Sequence, residues 1–277
     1  MNKVGVIYHP MIEPAGKLAR ELEKLLVNHH VEVWVCSAWD IENVRSKLKD
    51  TDLLLTVGGD GTILRAAQAV APGNVPITGI NLGKLGFMTE LSVEEAWEQI
   101  TRILNGEGWV DKRALLEAEI HFPNEEPAIR YYALNDVVIA RGAIARVISV
   151  ETEMNGEPLT TYKGDGVIIA TATGSTGYAL AAGGPILQPQ ADEIVLVPIM
   201  PHLSANYPLV LPSNARLTFK VQAVHSSTIS IDGHTNLPAA SGTTIEITKS
   251  SHKLYFMRIH PENYFYYTLE RRLKGKQ

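Results

Sequence analysis

Five residues, Gly58-Gly59-Asp60-Gly61-Thr62, carry the strongest chemical signal in this chain. Three glycines around one carboxylate let the backbone take unusual dihedrals and come close to a ligand. The residues before them, Leu53 to Val57, read as a buried strand, and those after them, Ile63 to Ala71, are mostly good helix formers. Unpaired N–H groups at the start of such a helix attract phosphate through hydrogen bonds and the macrodipole. An Asp inside a phosphate cradle repels the anion, so the carboxylate makes sense if it handles a hydroxyl or a metal beside the phosphates. The turn lacks the Gly-Lys-Ser/Thr of a Walker loop and the Gly-x-Gly-x-x-Gly of a dinucleotide fold. Taken alone it also fits an ordinary strand-to-helix turn capped by Asp60 or Thr62.

Four further segments set polar groups beside strands. Gly164-Asp165-Gly166 opens the apolar run Val167 to Thr171, which leads into Ala172-Thr173-Gly174-Ser175-Thr176-Gly177-Tyr178. Such a turn offers many N–H and O–H donors with little bulk, which suits ribose or phosphate oxygens. A hairpin followed by a helix cap is the plain alternative. Asn135-Asp136 interrupts the apolar run Ala133 to Ile139, and neighbours on a strand face opposite ways, so one of the two can face the core and need a partner. Asn81-Leu82-Gly83-Lys84-Leu85-Gly86-Phe87 and Asp232-Gly233-His234 each follow a strand and also read as simple loops. His202 lies in Pro198 to Ser204, but a lone His is usually structural. The nine histidines show no metal-ligand spacing, so no structural zinc is expected, and no Gly-x-Ser-x-Gly elbow for acyl transfer is present.

The bulk numbers bound the answer. A chain of 277 residues, 45% hydrophobic and 20% charged, suits a globular enzyme of two domains. The net charge of -5 speaks against nonspecific nucleic-acid binding as the main task. The single cysteine, Cys36, sits in the apolar run Val31 to Cys36, reads as a core residue, and rules out both an internal disulfide and a Cys-based zinc cluster. No apolar stretch approaches the roughly 18 residues needed to cross a bilayer. The N-terminus opens directly on a strand pattern, Val4 to Tyr8, with no signal peptide, so a cytoplasmic setting is expected.

The elements that must carry these residues follow from periodicity. Through the first hundred residues strands and helices alternate: strands at Val4 to Tyr8, Val31 to Cys36, Leu53 to Val57 and Val75 to Ile80, helices at Ala15 to Val27 and Ile41 to Leu48. Ser92 is expected to cap a helix with Trp97, Ile100, Ile103 and Leu104 on its buried side. This rhythm predicts a parallel sheet covered by helices. From Trp109 to about Met257 the chain turns to short β-branched runs, with Asn155-Gly156 as a type I′ hairpin turn. Pro261 to Leu273 reads as a helical tail with a basic end.

Gly58 to Thr62, Asn81 to Phe87, Asn135-Asp136, Gly164 to Pro185, Pro198 to Ser204 and Asp232-Gly233 together resemble the NAD kinase family in order and spacing, across nearly the whole chain. The glycine turn alone is shared with diacylglycerol and sphingosine kinases and, in a Ser-ending form, with phosphofructokinases. The Thr-Gly-Ser-Thr region together with the Asn-Asp pair is what separates NAD kinases from them. Two departures stand out: Gly177 replaces an Ala usual before the Tyr, and the Thr usual after His202 is missing, with Asn206 near where Arg is common.

The resemblance implies an α/β fold with an N-terminal parallel-sheet domain and a C-terminal β-rich domain, the active site lying between them. The domains are expected at residues 1–105, with segment 259–277 packing back on them, and at 106–258. The implied activity is transfer of the terminal phosphoryl group of ATP, with magnesium or another divalent cation, to the 2′-hydroxyl of the adenosine ribose of NAD, making NADP. By the same resemblance Asp60 is the proton acceptor, and Gly58, Gly59, Gly61 and Thr62 hold donor phosphates. Asp60 and Gly61 also touch NAD. Asn135 and Asp136 hold NAD, Asp165 its nicotinamide end, and the run Thr176, Gly177, Tyr178, Ala179, Leu180 and Ala181 the adenine side. Arg65, Arg146 and Lys163 stand where the family contacts substrate phosphates, and each also reads as a solvated surface cation. No metal is expected on protein ligands, and no nucleic acid or membrane partner. A homodimer or homotetramer through the β-rich domain is expected.

Overall fold

The structure is a computed structural model, and it describes residues 1–83, 85–123, 127–144, 146–202 and 206–274. Contacts divide the chain into two compact units, Met1–Lys112 with Leu254–Gln277, and Arg113–Lys253. The sequence suggests boundaries at 105/106 and 258/259, and contacts divide the chain a few residues away, inside two long strands, 109–121 and 244–258.

In the first unit, strands β1 (Lys3–Tyr8), β2 (Glu32–Ser37), β3 (Leu53–Val57) and β4 (Ile77–Asn81) pair in parallel in the order β2-β1-β3-β4. Every residue of β3 and β4 is buried, as expected for strands covered on both faces. The covering elements are helices α1 (Glu13–Asn28), α2 (Ile41–Lys47) and α3 (Asp60–Val70), then, after the two-residue strand β5 (Leu91–Ser92), helix α4 (Val93–Leu104). The strand order reverses between β1 and β3, and open parallel sheets bind ligands beyond the carboxyl ends of their strands at such a switch point. Helix α4 opens on a capping box between Ser92 and Glu95. Its buried stripe is Ala96, Ile100, Ile103 and Leu104, while Trp97 stays 40% exposed, because the i, i+4, i+7, i+8 spacing selects Ala96 and not its neighbour.

The second unit is antiparallel. Its chain runs through β6 (Trp109–His121), β7 (Ile129–Ala133), β8 (Asp136–Arg141), β9 (Ile148–Met154), β10 (Glu157–Gly164) and β11 (Gly166–Ala170). The short helix α5 (Tyr178–Ala181) follows, then β12 (Ile194–Ile199), β13 (Leu209–Leu211), β14 (Arg216–Gln222), β15 (Ser227–Ile231), β16 (Thr235–Ala239) and β17 (Thr244–Arg258). One sheet is six-stranded, in the order β13-β12-β11-β8-β15-β16. Its residues Val137, Ile139, Val167 and Ile229 share a core with Val150, Phe219 and Ile245 of the strands β9, β14 and β17. Its other face, Val138, Ile168, Val195 and Val197, is closed by Ala179 of α5. Asn155 and Gly156 both have positive φ, as a type I′ turn requires, and join β9 to β10.

The chain returns to the first unit at the end of β17 and finishes in helix α6 (Tyr264–Lys274). Phe256 pairs with Ile77 of β4. Beside it Arg258, buried, donates to Asp111 Oδ2, to Glu90 Oε2 and to the carbonyl of Met88. Glu90 also meets His260 Nδ1 at 3.0 Å, and His260 Nε2 faces Glu95 at 3.3 Å. Burial works against ionising Glu90, yet the His260 hydrogen bond, the Arg258 charge and two backbone amides hold its carboxyl down at about 2. The hydrogen bond to Glu90 raises the His260 pKa in turn.

Glu90 therefore contributes stability that is present above its ordinary 4.5 and is lost as pH falls toward 2. His260 contributes stability that is complete below its ordinary 6.5 and fades as pH rises through its raised value. The melting temperature of the wild type minus that of Glu90→Gln is expected to peak between these two ordinary values. A difference flat from pH 3 to 9 would show that the cluster does not couple folding to protons.

Candidate active site

Strand β3 ends at Val57 and α3 starts at Asp60, so the chain reverses within two residues. Gly58 N donates to Ile80 O and Thr62 N donates to Gly59 O, so these two amides of the expected phosphate cradle are already engaged. Those of Gly59, Asp60 and Gly61 remain at the open start of the helix, where no carbonyl lies one turn back. Gly59 and Gly61 are exposed there.

The Asp60 carboxylate turns to the loop after β4. Its Oδ2 accepts from Phe87 N at 2.8 Å, and its Oδ1 accepts from Met88 N at 3.0 Å and Thr89 N at 3.3 Å. A carboxylate offers about four acceptor sites, so the remaining one is on Oδ2. A Cβ on Gly86 would collide with Asp60 Oδ1, and three amides keep the carboxylate from swinging away. Gly86 is thus needed for close approach. Lys84 of the same segment lies outside the described residues. Arg65, further along α3, stacks its guanidinium 4.0 Å from the Trp39 ring centre, and His9 meets that ring edge-on at 4.4 Å. Burial lowers the Arg65 pKa.

In the second unit three strand ends meet. Asp136 at the start of β8 stands opposite Ala170 at the end of β11, and Val137 stands opposite Ile231 at the end of β15. Asp232, the next residue, has φ 50° and turns its carboxylate back along this edge. Oδ2 accepts from Leu134 N at 2.9 Å, and Oδ1 accepts from Asn135 N at 2.7 Å and Asp136 N at 3.1 Å. Asn135 accordingly sits in the bend between β7 and β8 and Asp136 opens β8, where the Asp232 carboxylate satisfies the amides of both. Thr171 N donates to Asn135 O, and a Cβ on Gly174 would collide with that same carbonyl. Burial, with the Asp232 charge added, pushes Asp136 up to about 7, and burial pushes Asp232 up to about 6 against the pull of its three amides. Near neutral pH Asp136 can therefore donate as well as accept. Asn135 Oδ1 is buried and has no hydrogen-bond partner among the described residues.

The glycine-hydroxyl turn lies against this pair. A Cβ on Gly177 would stand 3.4 Å from Asn135 Nδ2 and 3.8 Å from Asp136 Oδ2. Thr176 is buried, and its hydroxyl donates to Thr173 O, which shapes the turn. Tyr178 and Ala181 are exposed and Leu180 is half-buried. Ala179 is fully buried in the core behind the sheet, so its side chain is closed to a ligand.

Asp165, Arg146 and Lys163 are elsewhere. Asp165 precedes Gly166, which pairs with Ala140 at the far end of β8, about 13 Å along the strand from Asp136. Its Oδ1 accepts from Arg141 Nε at 2.8 Å, a partner that sequence reasoning did not name. Arg146 and Lys163 help to line a cavity of about 530 Å³ with Ser149, Gln222, His225 and Ser226. Leu203 and Ser204, in the segment after His202, lie outside the described residues. Among the described residues no three His, Cys, Asp or Glu side chains gather to hold a metal. Asp232 gained no role from the sequence, where Asp-Gly after a strand reads as a plain turn. Replacing it with Ala leaves three amides without their acceptor and is expected to destabilise the fold by about 3 kcal/mol or more in urea unfolding. A loss under about 1 kcal/mol would show that those amides find other partners.

Residues 4–108 match the ATP-NAD kinase N-terminal domain and residues 134–259 the ATP-NAD kinase C-terminal domain. An NAD kinase of Dehalococcoides mccartyi is 50% identical over 99% of this chain and 96% of its own length. One of Chloroflexus aggregans is 38% identical over 99% of both. Among solved structures, yeast NADH kinase complexed with NADH superposes with a TM-score of 0.86 at 25% identity, covering 99% of this chain and 86% of that one. The NAD kinase of Archaeoglobus fulgidus in complex with ATP does so with 0.80 at 26% identity, covering 98% of each. Likeness of this extent, in sequence and in fold, is descent and not convergence on a glycine turn: the chain belongs to the ATP-NAD kinase family of phosphotransferases.

Proposed function

We propose that this chain transfers the terminal phosphoryl group of ATP to the 2′-hydroxyl of the adenosine ribose of NAD, forming NADP and ADP. The observation that carries the residue assignment is the state of Asp60. Its carboxylate is immobilised by three amides, keeps one acceptor site on Oδ2, and stands at the amide-rich start of α3. Phosphoryl transfer needs alignment and charge stabilisation more than covalent help. The ribose 2′-oxygen attacks the terminal phosphorus, the bond to the bridging oxygen breaks, and its electron pair leaves with ADP. The hydroxyl proton passes to Asp60 Oδ2. The amides of Gly59, Asp60 and Gly61 hold donor phosphates, where the absence of side chains at both glycines admits close approach.

Magnesium enters on the phosphates of ATP, as part of the substrate. Three of the four acceptor sites of Asp60 are taken, which leaves that carboxylate poorly suited to a metal of its own. Asn135 and Asp136 bind NAD. Asn135 Oδ1, without a partner among the described residues, supports this, since a buried acceptor costs about 1–3 kcal/mol until a donor reaches it. Arg65 serves a substrate phosphate.

Arg146, Lys163 and Asp165 stand at the opposite end of the six-stranded sheet from Asn135. A homo-oligomer would let those of one copy complete the NAD site of another. Exposed Ile144, Val147, Met200, Tyr207 and Val224 on the same unit support such an assembly. The lone, buried cysteine suits a reducing, cytoplasmic workplace.

The test is NADP formation from NAD and magnesium-ATP, read with an NADP-specific dehydrogenase. Asp60→Asn is expected to lower kcat by about 10²–10⁴-fold with NAD binding retained, and near-normal turnover would move the proton acceptor elsewhere. Gly86→Ala forces Asp60 aside, and a displacement near 1 Å is expected to lower kcat about 10²-fold. Unchanged kcat in that variant would mean the loop relaxes freely.

A further inference from the structure

The last helix brings a cation to the back of the loop that holds Asp60. Arg272 of α6 is 4% exposed, and its Nη1 donates to the carbonyl of Gly86 while its Nε donates to Thr268 Oγ1 at 2.7 Å. Among the described residues no carboxylate stands within ion-pairing distance of it. Arg258, its buried neighbour, has Asp111 and Glu90 as partners and is accounted for as structure. A buried cation without a paired anion is costly, and such a cost persists where the site needs it.

Five hydrogen bonds fix the segment Gly86 to Thr89 from both sides. Its amides at 87, 88 and 89 point to Asp60, and its carbonyls at 86 and 88 receive Arg272 and Arg258. Gly86 N donates to Thr89 Oγ1, and the Phe87 ring faces Phe265 of α6 at 6.5 Å. Asp60 is the foremost influence favouring the Arg272 charge, against burial and Arg258. The arginine and the aspartate therefore meet through a single peptide segment, one holding its carbonyl and the other its N–H groups.

We propose that Arg272 is a positioning residue for Asp60, acting through the Gly86–Thr89 loop, so that the C-terminal helix is a working part of the phosphoryl-transfer site. The proposal rests on the reading of Asp60 as proton acceptor. Without Arg272 the loop loses one of its two carbonyl anchors, and the carboxylate drifts from the in-line geometry.

Two readouts test it, on the full chain. Steady-state kinetics of Arg272→Met should show kcat lowered about 10²-fold, with KM for NAD and for ATP each within about twofold of wild type. Arg272→Lys should recover part of the loss, since an ammonium can still donate to Gly86 O. Hydrogen exchange should show the Phe87, Met88 and Thr89 amides opening about tenfold faster in Arg272→Met, while β3 keeps its protection. If the Met variant does not fold, Thr268→Val, which removes the acceptor of Arg272 Nε, should show the same pattern more weakly. A lower melting temperature with wild-type kcat per folded molecule would reduce Arg272 to an anchor of α6 and overturn the proposal. Should the wild type make no NADP, the functional reading falls separately, and unchanged exchange at residues 87–89 would still sink the positioning role.

Discussion

A backbone N–H taken out of water must find an acceptor, and helices and sheets solve this for most of the chain. Where a ligand is to bind, the chain has to leave those ladders, and three consecutive amides then need acceptors from somewhere else. Each unit of this protein answers with one aspartate. Asp60 gathers the amides of Phe87, Met88 and Thr89, and Asp232 those of Leu134, Asn135 and Asp136. One loop in each unit hangs on its carboxylate.

The consequences differ with burial. Asp232 is sealed from water, and burial pushes its carboxyl upward; Asp136 is pushed upward by burial and by the Asp232 charge. Asp60 stays partly open at a helix start, keeping an acceptor site on the exposed side of its task. Around it the first unit concentrates charge: Arg258 with Glu90 and Asp111, His260 with Glu90 and Glu95, and Arg272 on the Gly86 carbonyl. These groups come from β6, α4, the end of β17 and α6, so distant parts of the chain converge on one short loop.

Local signals made much of this legible. The alternation of strand and helix through the first hundred residues, the Ser92 cap and the Asn155-Gly156 turn are properties of a few neighbouring side chains, and the α/β architecture with a β-rich second unit follows from them. The Gly58 turn announces itself because glycine spacing at a strand-to-helix junction is a local constraint. Trp97 misled because aromatic bulk suggests a core residue, while the helical register gives the buried position to Ala96.

By itself the sequence determined the family, the order of its elements and the side chains available for chemistry, since these depend on residue type, spacing and period. Only the tertiary structure decided what each side chain does. It showed that the Gly58 and Thr62 amides are spent inside the protein, that Ala179 belongs to the core, and that Asp165 faces Arg141 at the far end of the sheet from Asp136. It also gave Asp232 and Arg272 their partners, 96 to 98 and 186 residues away. Hydrogen bonds of that span leave no trace in local propensity, because the acceptor and the donor meet only after both units have closed around their cores.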